Sequence, residues 1–414
     1  MITMICNRRL PILHTTTSME VARPRLRRVP NRCYTTMEHL LVKSIQATGP
    51  LQVPRYLQMC LSHPTHGYYM RKEVFGAQGD FTTSPEISQI FGELVGTWFL
   101  LPWMKEHKDK SRSIRLIELG PGRGTLMADI IRTFNSFRST ANAIDSVHLV
   151  ETSEKLRTSQ KAKLSSALEG SRNSPKLHWH DRIEDIAPSD AYTMLVANEF
   201  FDALPFHIIE KTPDGFKEVL VGLKSNLSSS LAPLPKFKQN QLAEPFSSPS
   251  KPQLQLFLSD TVSTTSTLLS ASSPRFSKLI GARGAGLIID YGDEHFFGSS
   301  FRGFRNHRIV DVFDQPGHSD LTANVDFAYL KEALLPIARS LGPITQRDFL
   351  LGMQFNARLE GLTKQAPLID PTGMGAQYKV MGIVPQRGEP DRQDGIDELL
   401  LYPFNLPRET AQPE

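Results

Sequence analysis

Cysteine and long apolar segments are both scarce in this chain of 414 residues. The three cysteines, Cys6, Cys33 and Cys60, are too few for a disulfide framework or a four-cysteine zinc site. No apolar run approaches the ~20 residues that a membrane-spanning helix requires, and the longest, which begins at Thr97, contains a proline. The sequence therefore argues against a small disulfide-stabilised domain and against a membrane-spanning helix.

Basic charge is scarce outside the amino-terminal segment. The whole chain carries a net charge of +4, but its first 34 residues contain seven arginines and one acid, so the remaining body is slightly acidic. A nucleic-acid-binding body is therefore disfavoured. An arginine-rich, acid-poor leader containing Ser and Thr is typical of a mitochondrial transit peptide, which we predict over residues 1–34. A disordered basic tail is the alternative.

The rest of the chain divides by composition into four parts. Residues 35–110 have apolar positions at helical spacing and predict an N-terminal helical region, in which Ser84 is expected to cap a helix. Residues 111–385 are predicted to form the main domain. Within it, the Ser/Pro-rich residues 225–275 predict a surface insertion, partly disordered, and residues 386–414 predict a loosely attached tail.

Short apolar segments alternate with helical patterns in the main domain, which predicts a parallel sheet in an α/β fold. A helix with one apolar face is predicted between the first two strands, and a hairpin is predicted around Thr-Pro-Asp-Gly at position 212. The candidate strands are IRLIEL from Ile114, SVHLVE from Ser146, KLHW from Lys176, YTMLVAN from Tyr192 and GLIIDY from Gly286.

The turn after the first strand reads LIELGPGRGTL and contains Gly120, Gly122 and Gly124. A dinucleotide-binding turn has the spacing G-x-G-x-x-G, with an acid about 20 residues further on. Here the spacing is G-x-G-x-G, Thr125 replaces the third glycine of that pattern, and no acid follows at that distance. The turn therefore favours S-adenosylmethionine, whose ribose and amino-acid end approach the backbone closely, over a nicotinamide dinucleotide.

Three acids near the predicted strand ends suit that cofactor. Glu118 precedes the turn and is expected to hold the ammonium, directly or through water. Glu151 ends the second strand and is expected to accept hydrogen bonds from the ribose hydroxyls. Asp181 follows the third strand, at the adenine end. Ligands of α/β sheets bind beyond the carboxyl ends of the strands, where all three residues fall.

The segment NEFFDALP leaves the fourth strand, where the transferable methyl group is expected. Methyl transfer is an in-line displacement, so catalysis requires positioning and removal of a proton. The carboxylates of Glu199 and Asp202 suit a cationic nucleophile such as a guanidinium, and we predict that both are catalytic. For each residue alone, a helix cap or a local ion pair is an equally open alternative.

Other polar groups have weaker interpretations. His178 and His180 share one side of a strand, but no third and fourth ligand are evident nearby, so no metal is predicted. Substrate contact and ordinary loop hydrogen bonding both remain open for Asp290-Tyr291-Gly292 and for His318-Ser319-Asp320.

Five motifs resemble, in the same order, the MidA family of mitochondrial protein-arginine methyltransferases, which are complex I assembly factors. The resemblance covers about residues 37–385, without the leader and the Ser/Pro-rich stretch. It implies a Rossmann-like class I S-adenosylmethionine-dependent methyltransferase in the mitochondrial matrix. It also implies symmetric dimethylation of an arginine in a core peripheral-arm subunit of complex I. The motifs are GDFTTSPEISQIFGE, ELGPGRGTLMADIIR, NEFFDALP, IIDYG and PGHSDLTANVDF.

The resemblance also implies roles for particular residues. The three glycines and Glu151 would bind the cofactor together with Asn198, and the segment 198–205 would border the target guanidinium. The GDFTTSPE loop would close over the site, with Asp80, Thr83 and Ser84 as candidate contacts. A non-catalytic assembly chaperone that binds S-adenosylmethionine and a small-molecule methyltransferase remain alternatives, and the insertion leaves the substrate peptide's path open.

Overall fold

The computed structural model describes part of the chain, and no helix in that part is long and apolar enough to cross a membrane. The predicted leader, Asp80 and most of the predicted insertion lie outside the described residues. The described residues are 36–71, 82–106, 113–140, 142–169, 175–224, 254–262, 279–280, 284–355, 367–386 and 401–406.

The secondary structure alternates strand and helix through the centre of the chain. The described helices are α1 (Thr36–Thr48), α2 (Val53–Ser62), α3 (Tyr68–Arg71), α4 (Ser84–Ile87), α5 (Gln89–Glu106), α6 (Thr125–Ser136), α7 (Glu154–Ala167), α8 (Phe327–Leu334), α9 (Gln346–Gly352) and α10 (Met374–Gln377). The described strands are β1 (Leu51–Gln52), β2 (Ile114–Leu119), β3 (Ile144–Val150), β4 (Lys176–His180), β5 (Tyr192–Asn198), β6 (Ile209–Thr212), β7 (Gly215–Leu223), β8 (Leu254–Val262), β9 (Ala285–Asp293), β10 (Arg302–Arg305), β11 (Arg308–Val310), β12 (Asp320–Thr322), β13 (Val325–Asp326), β14 (Ala338–Thr345) and β15 (Tyr378–Pro385).

The main sheet has the order β14-β15-β9-β5-β2-β3-β4, with β13 beside β9. The strands from β9 to β4 pair in parallel, and β15 runs antiparallel to both of its neighbours. Every residue of β2 and β5 is buried, as expected for central strands covered on both faces. The five predicted strands and the predicted α/β fold are confirmed.

Helices α5 and α6 pack closely together on one face of this sheet. A Cβ atom on Gly92 of α5 would lie 2.4 Å from the Cβ of Asp129 on α6, so only glycine allows this approach. The predicted apolar face of α6, which includes Ile130 and Phe134, is buried. This packing fixes the start of α6, and with it the glycine turn, against the end of β2.

The helix predicted near Ser84 is divided in two. Helix α4 covers only Ser84–Ile87, the backbone is extended at Ser88, and α5 begins at Gln89. Thr83 occupies the cap position without a side-chain capping bond. The prediction that Ser84 caps the helix is therefore wrong, since its buried Oγ donates instead to Oε1 of Gln346 at 2.9 Å.

A second sheet combines β1, β7 and β6, with β8 beside β7. The predicted hairpin is confirmed, because Thr212 of β6 pairs with Gly215 of β7. Strand β8, however, lies inside the segment predicted as a surface insertion. Its Leu254 and Phe257 are buried, so this part of the segment belongs to a hydrophobic core. The mostly apolar LQLFL stretch forms the strand despite its Ser/Pro-rich flanks.

Residues 401–406 also differ from expectation. The indole nitrogen of Trp98 donates to the carbonyl oxygen of Tyr402 at 2.9 Å, and the ring of Phe404 packs 6.0 Å from that of Trp98. These residues pack on the core instead of forming part of a loose tail. A third sheet, β11-β10-β12, lies later in the chain and contributes to the site described below.

Candidate active site

The glycine turn between β2 and α6 has a backbone that only glycine adopts readily. The φ angles of Gly120, Gly122 and Gly124 are 63°, 51° and 76°. A Cβ atom on Gly120 would lie 2.8 Å from Cδ2 of Phe200, so the loop after β5 packs directly on the turn. These glycines therefore allow both the conformation and the close approach.

A cavity of about 430 Å³ lies along the carboxyl ends of β2 to β5. A smaller one of about 50 Å³ shares Thr83, Gly120, Gly122 and Glu199 with it. Of the predicted catalytic and cofactor-binding residues that the structure describes, all but Gly124 and Ser84 line one or both cavities, namely Thr83, Glu118, Gly120, Gly122, Glu151, Asp181, Asn198, Glu199 and Asp202. The structure thus brings residues from distant parts of the chain to one place.

The two exceptions lie behind the cavity wall. Gly124 precedes α6, and a Cβ atom there would approach Cγ of Gln160 to 3.3 Å. Ser84 has its hydroxyl bonded to Gln346, as described above. Its backbone N–H lies close enough to Glu199 to lower the pKa of that carboxyl, against the larger raising effect of burial. Ser84 therefore supports a catalytic candidate through its backbone, whereas its side chain does not line the cavity.

Glu151 at the end of β3 is held by neighbours that orient it. Its Oε1 accepts a hydrogen bond from the backbone N–H of Ser153 at 2.8 Å, and its Oε2 accepts one from Nε2 of Gln160 at 3.3 Å. Burial raises the pKa of Glu151, although these hydrogen bonds oppose the shift. This residue is in place to accept from the hydroxyls of a ribose.

Gln160 is a site residue that the sequence did not reveal. It is fully buried on α7, donates to the carbonyl oxygen of Gly122 at 2.7 Å and accepts from the indole nitrogen of Trp179 at 2.8 Å. Together with its bond to Glu151, these contacts fix the glycine turn relative to the end of β3. Nothing in the local sequence of this polar helix distinguishes Gln160 from its neighbours.

Asp181 lies at the outer edge of the cavity beyond β4. Its side chain is 73% exposed, and its Oδ1 accepts from Nη2 of Arg157 at 2.6 Å. Nε of Arg157 donates to the backbone oxygen of Glu151 at 2.7 Å, so the guanidinium joins the ends of the two strands. This is the position at which the sequence predicted the adenine end.

The opposite end of the site contains buried acceptors. Glu118 is 2% exposed and Asn198 is 8% exposed. Glu118 Oε2 and Asn198 Oδ1 have no hydrogen-bond partner among the described residues, which costs about 1–3 kcal/mol for each buried group. Burial raises the pKa of Glu118 to about 8. Both residues line the smaller cavity, beside the glycine turn.

The predicted catalytic carboxylates lie between these ends. Glu199 has a left-handed backbone with φ 51°, which is uncommon for a residue other than glycine and is often found at functional sites. Burial, and next the charge of Asp202, raise the pKa of Glu199 to about 8. Oδ2 of Asp202 accepts from the hydroxyl of Thr322 at 2.8 Å, but its Oδ1 has no partner among the described residues.

Asp290 holds the loop that carries these carboxylates. It is fully buried at the end of β9, and its Oδ2 accepts from the backbone N–H groups of Phe201 at 2.9 Å and Asp202 at 3.3 Å. Its Oδ1 accepts from the N–H of Tyr291 at 2.8 Å. For Asp290, loop hydrogen bonding is therefore the observed role. Burial, with the charges of Asp202 and Glu199, raises its pKa well above the usual range.

The lining of the larger cavity contains more acidic than basic side chains. Among its lining side chains, Arg182 is the one arginine, and no lysine is present. The acids are Glu151, Asp181, Glu184, Glu199, Asp202 and Asp320. Such a lining attracts a cationic substrate.

The paired histidines lie against a third one. The rings of His148 and His178 stack with centroids 4.6 Å apart, and Nδ1 of His148 lies 2.9 Å from Nε2 of His180. Burial lowers the pKa of His148 to about 3, so its imidazole is neutral. Within the described ranges, no group of three or more histidine, cysteine or acidic side chains is arranged to hold a metal ion.

Comparison with known proteins identifies the family. Residues 94–344 match the family model described as an S-adenosyl-L-methionine-dependent methyltransferase. The mitochondrial protein arginine methyltransferase NDUFAF7 of Xenopus tropicalis is 36% identical over 84% of this chain and 86% of its own length. The human protein of the same name is 36% identical over 85% of this chain and 83% of its own. The chain belongs to this methyltransferase family.

A solved structure supports the fold of the methyltransferase. A protein from Burkholderia thailandensis, described as a methyl transferase bound to S-adenosyl-homocysteine, has a TM-score of 0.64 at 22% identity. The match covers 84% of this chain and 91% of that one. The predicted enzyme class and cofactor are confirmed by the family, and the chain is a methyltransferase that uses S-adenosylmethionine.

Proposed function

We propose that this methyltransferase modifies an arginine in a core peripheral-arm subunit of mitochondrial complex I, forming symmetric dimethylarginine in the matrix during assembly. The similar proteins are named as mitochondrial protein arginine methyltransferases, and the five motifs resemble complex I assembly factors. The observation that carries the proposal is the acidic lining of the cavity around Glu199 and Asp202, because a guanidinium is the cationic nucleophile that two carboxylates bind best.

The cofactor's contacts follow from the buried acceptors. Glu118 and Asn198 would hold its ammonium, Glu151 would hold the ribose hydroxyls, and the glycine turn would let the backbone approach. When bound, S-adenosylmethionine supplies an electrophilic methyl group. The chain's remaining task is to place the nucleophile in line with that group and to remove its proton.

Glu199 and Asp202 perform that task. Their carboxylates would bind the guanidinium N–H groups and fix the plane of the guanidinium relative to the methyl group. The attacking nitrogen forms a bond to the methyl carbon, the bond from that carbon to sulfur breaks, and the nitrogen then loses a proton. Glu199, whose pKa is raised to about 8, accepts this proton when it is ionised.

Mass spectrometry of the complex I core subunits tests the proposal. We expect a symmetric dimethylarginine that disappears when the protein is deleted and returns with the wild type, but not with Gly124→Val. Valine cannot easily adopt the φ of 76° at this position, and its Cβ presses on Gln160. Asp202→Asn is the second variant, because it should keep cofactor binding and lose the modification.

The same experiment separates the alternatives. If the modification persists without the protein while assembly fails, a non-catalytic chaperone replaces the enzyme hypothesis. If Asp202→Asn restores assembly without restoring dimethylarginine, catalysis is dispensable for assembly. If neither modification nor assembly changes on deletion, complex I is not the target.

A further inference from the structure

Strand β12 lies beside the loop of residues 199–205 and contributes Asp320 to the lining of the cavity. The hydroxyl of Thr322 on β12 donates to Oδ2 of Asp202 at 2.8 Å, and the N–H of Ala323 donates to the backbone oxygen of Asp202 at 3.3 Å. Side chains two residues apart on a strand lie on the same face, so Asp320 shares the face of Thr322 that meets Asp202. Asp320 itself lines the cavity.

Tyr69 orients Asp320. The Tyr69 hydroxyl, delivered by the short helix α3, donates to Oδ1 of Asp320 at 2.9 Å, and the N–H of Leu321 donates to the same oxygen at 3.0 Å. Burial, and next the charges of Asp320 and Asp202, raise the pKa of Tyr69 well above its usual range. Tyr69 also lines the cavity.

The carboxylate of Asp202 is only partly paired, because the charge of Arg302 acts on it but one of its oxygens accepts no hydrogen bond from the described residues. Asp202 is 8% exposed, and its Oδ1 has no hydrogen-bond partner among the described residues, although Asp202 lines the cavity. A guanidinium has five N–H groups directed along more than one edge. Because Glu199 accepts the proton of the attacking nitrogen, a further carboxylate on a neighbouring wall can join Asp202 in binding the remaining N–H groups.

We propose that Asp320, oriented by Tyr69, is a specificity residue that binds the substrate guanidinium together with Asp202. This inference rests on the proposed function and adds a residue from the third sheet, outside the methyltransferase sheet. The hydrogen bonds that Asp320 accepts from Tyr69 and Leu321 would then hold its carboxylate in position to bind the substrate. Tyr69 is a positioning residue, because it acts through Asp320.

Two small peptides that differ in charge but have nearly the same shape test this assignment. Acetyl-glycyl-arginyl-glycinamide carries the guanidinium, and its citrulline counterpart has nearly the same shape without the charge. Their affinities are measured by calorimetry on the full chain saturated with S-adenosylhomocysteine. The variants are Asp320→Asn, Tyr69→Phe and, as a matched control, Asp311→Asn. Asp311 is exposed, accepts a backbone N–H from Phe313 at 2.8 Å and does not line the cavity.

The wild type is expected to prefer the arginine peptide. Asp320→Asn should reduce this preference by about 10-fold or more, because a hydrogen bond between charged groups is lost. Tyr69→Phe should reduce it in the same direction by less, and Asp311→Asn should leave it unchanged. The affinity for S-adenosylhomocysteine should remain constant in all variants, and this constancy also shows that each one is folded.

The outcomes separate this inference from the function on which it rests. If the wild type prefers arginine and both Asp320→Asn and Tyr69→Phe keep the full preference, the role of Asp320 is refuted while the proposed function stands. If the wild type binds the two peptides equally, the proposed guanidinium substrate is refuted. If Asp320→Asn does not fold, Tyr69→Phe, which removes a single oxygen atom, decides the question.

Discussion

The contact between Gly120 and Phe200 can be isolated by comparing two alanine substitutions. Gly120 and Gly49 have similar left-handed φ angles of 63° and 86°. A Cβ atom on Gly49 would meet nothing within 4 Å, whereas one on Gly120 would lie 2.8 Å from Cδ2 of Phe200. Gly49→Ala therefore introduces backbone strain alone, and Gly120→Ala introduces the same strain together with a steric overlap.

The expected losses follow from these two contributions. Left-handed strain costs about 1–2 kcal/mol, and the stiffer unfolded chain offsets about 0.4–1 kcal/mol of that in both variants. Overpacking against Phe200 adds about 1–3 kcal/mol in Gly120→Ala alone. The difference between the two variants in free energy of unfolding should therefore be about 1–3 kcal/mol.

Activity should separate the variants further. Phe200 follows Glu199 directly, so its displacement moves a catalytic candidate, and the added methyl group lies at the cavity wall. Gly120→Ala should lose turnover and affinity for S-adenosylhomocysteine, and Gly49→Ala should keep both. Denaturant unfolding measures the first difference and calorimetry the second. Equal unfolding free energies together with equal cofactor affinities would refute the packing argument.

Three further predictions concern the acidic residues. Glu151→Ala should weaken cofactor binding by about 10-fold while the fold is retained, because it removes a ribose acceptor at a strand end; unchanged affinity by calorimetry would remove Glu151 from the site. Glu199→Ala and Asp202→Ala should each lower turnover by about 100-fold or more with little change in cofactor affinity, and a loss confined to affinity would remove them from the catalytic set. Because burial raises the pKa of Glu199 to about 8 in the free enzyme, kcat/KM should rise as the pH increases toward about 8 and the carboxylate forms. Glu199→Gln should abolish that rise, and a flat wild-type profile between about pH 6 and 9 would contradict the role of this residue as proton acceptor.

The parts of the site that follow from local patterns were predictable from the sequence. The apolar strand segments, and the glycines between β2 and α6, can be recognised from a few neighbouring residues of the sequence. Since parallel strands end at one edge, the acids at those ends, such as Glu118 and Glu151, could also be placed together.

Other parts depend on tertiary contacts between distant segments. Gln160 looks like any polar residue of a surface helix until α7 packs beside the glycine turn. Tyr69 and Asp320 are separated by 251 positions, and their hydrogen bond joins a short helix to a small sheet. Strand β8 was missed because its Ser/Pro-rich surroundings outweighed five mostly apolar residues. In each case the deciding partner is far away in the chain, so no local pattern identifies it.

The pKa values of the buried carboxylates depend on such distant contacts. Burial raises the pKa values of Glu199, Asp202 and Asp290, and neighbouring carboxylates add to the shift of Glu199 and Asp290, whereas the charge of Arg302 opposes the shift of Asp202. Backbone N–H groups donate hydrogen bonds to Asp290, whereas Oδ1 of Asp202 accepts no hydrogen bond from the described residues. A guanidinium supplies both donors and the compensating charge, and an opposite charge favours ionised carboxylates. Substrate binding should therefore lower the pKa of Glu199. Its carboxylate then becomes ionised, and able to accept a proton, when the substrate is bound.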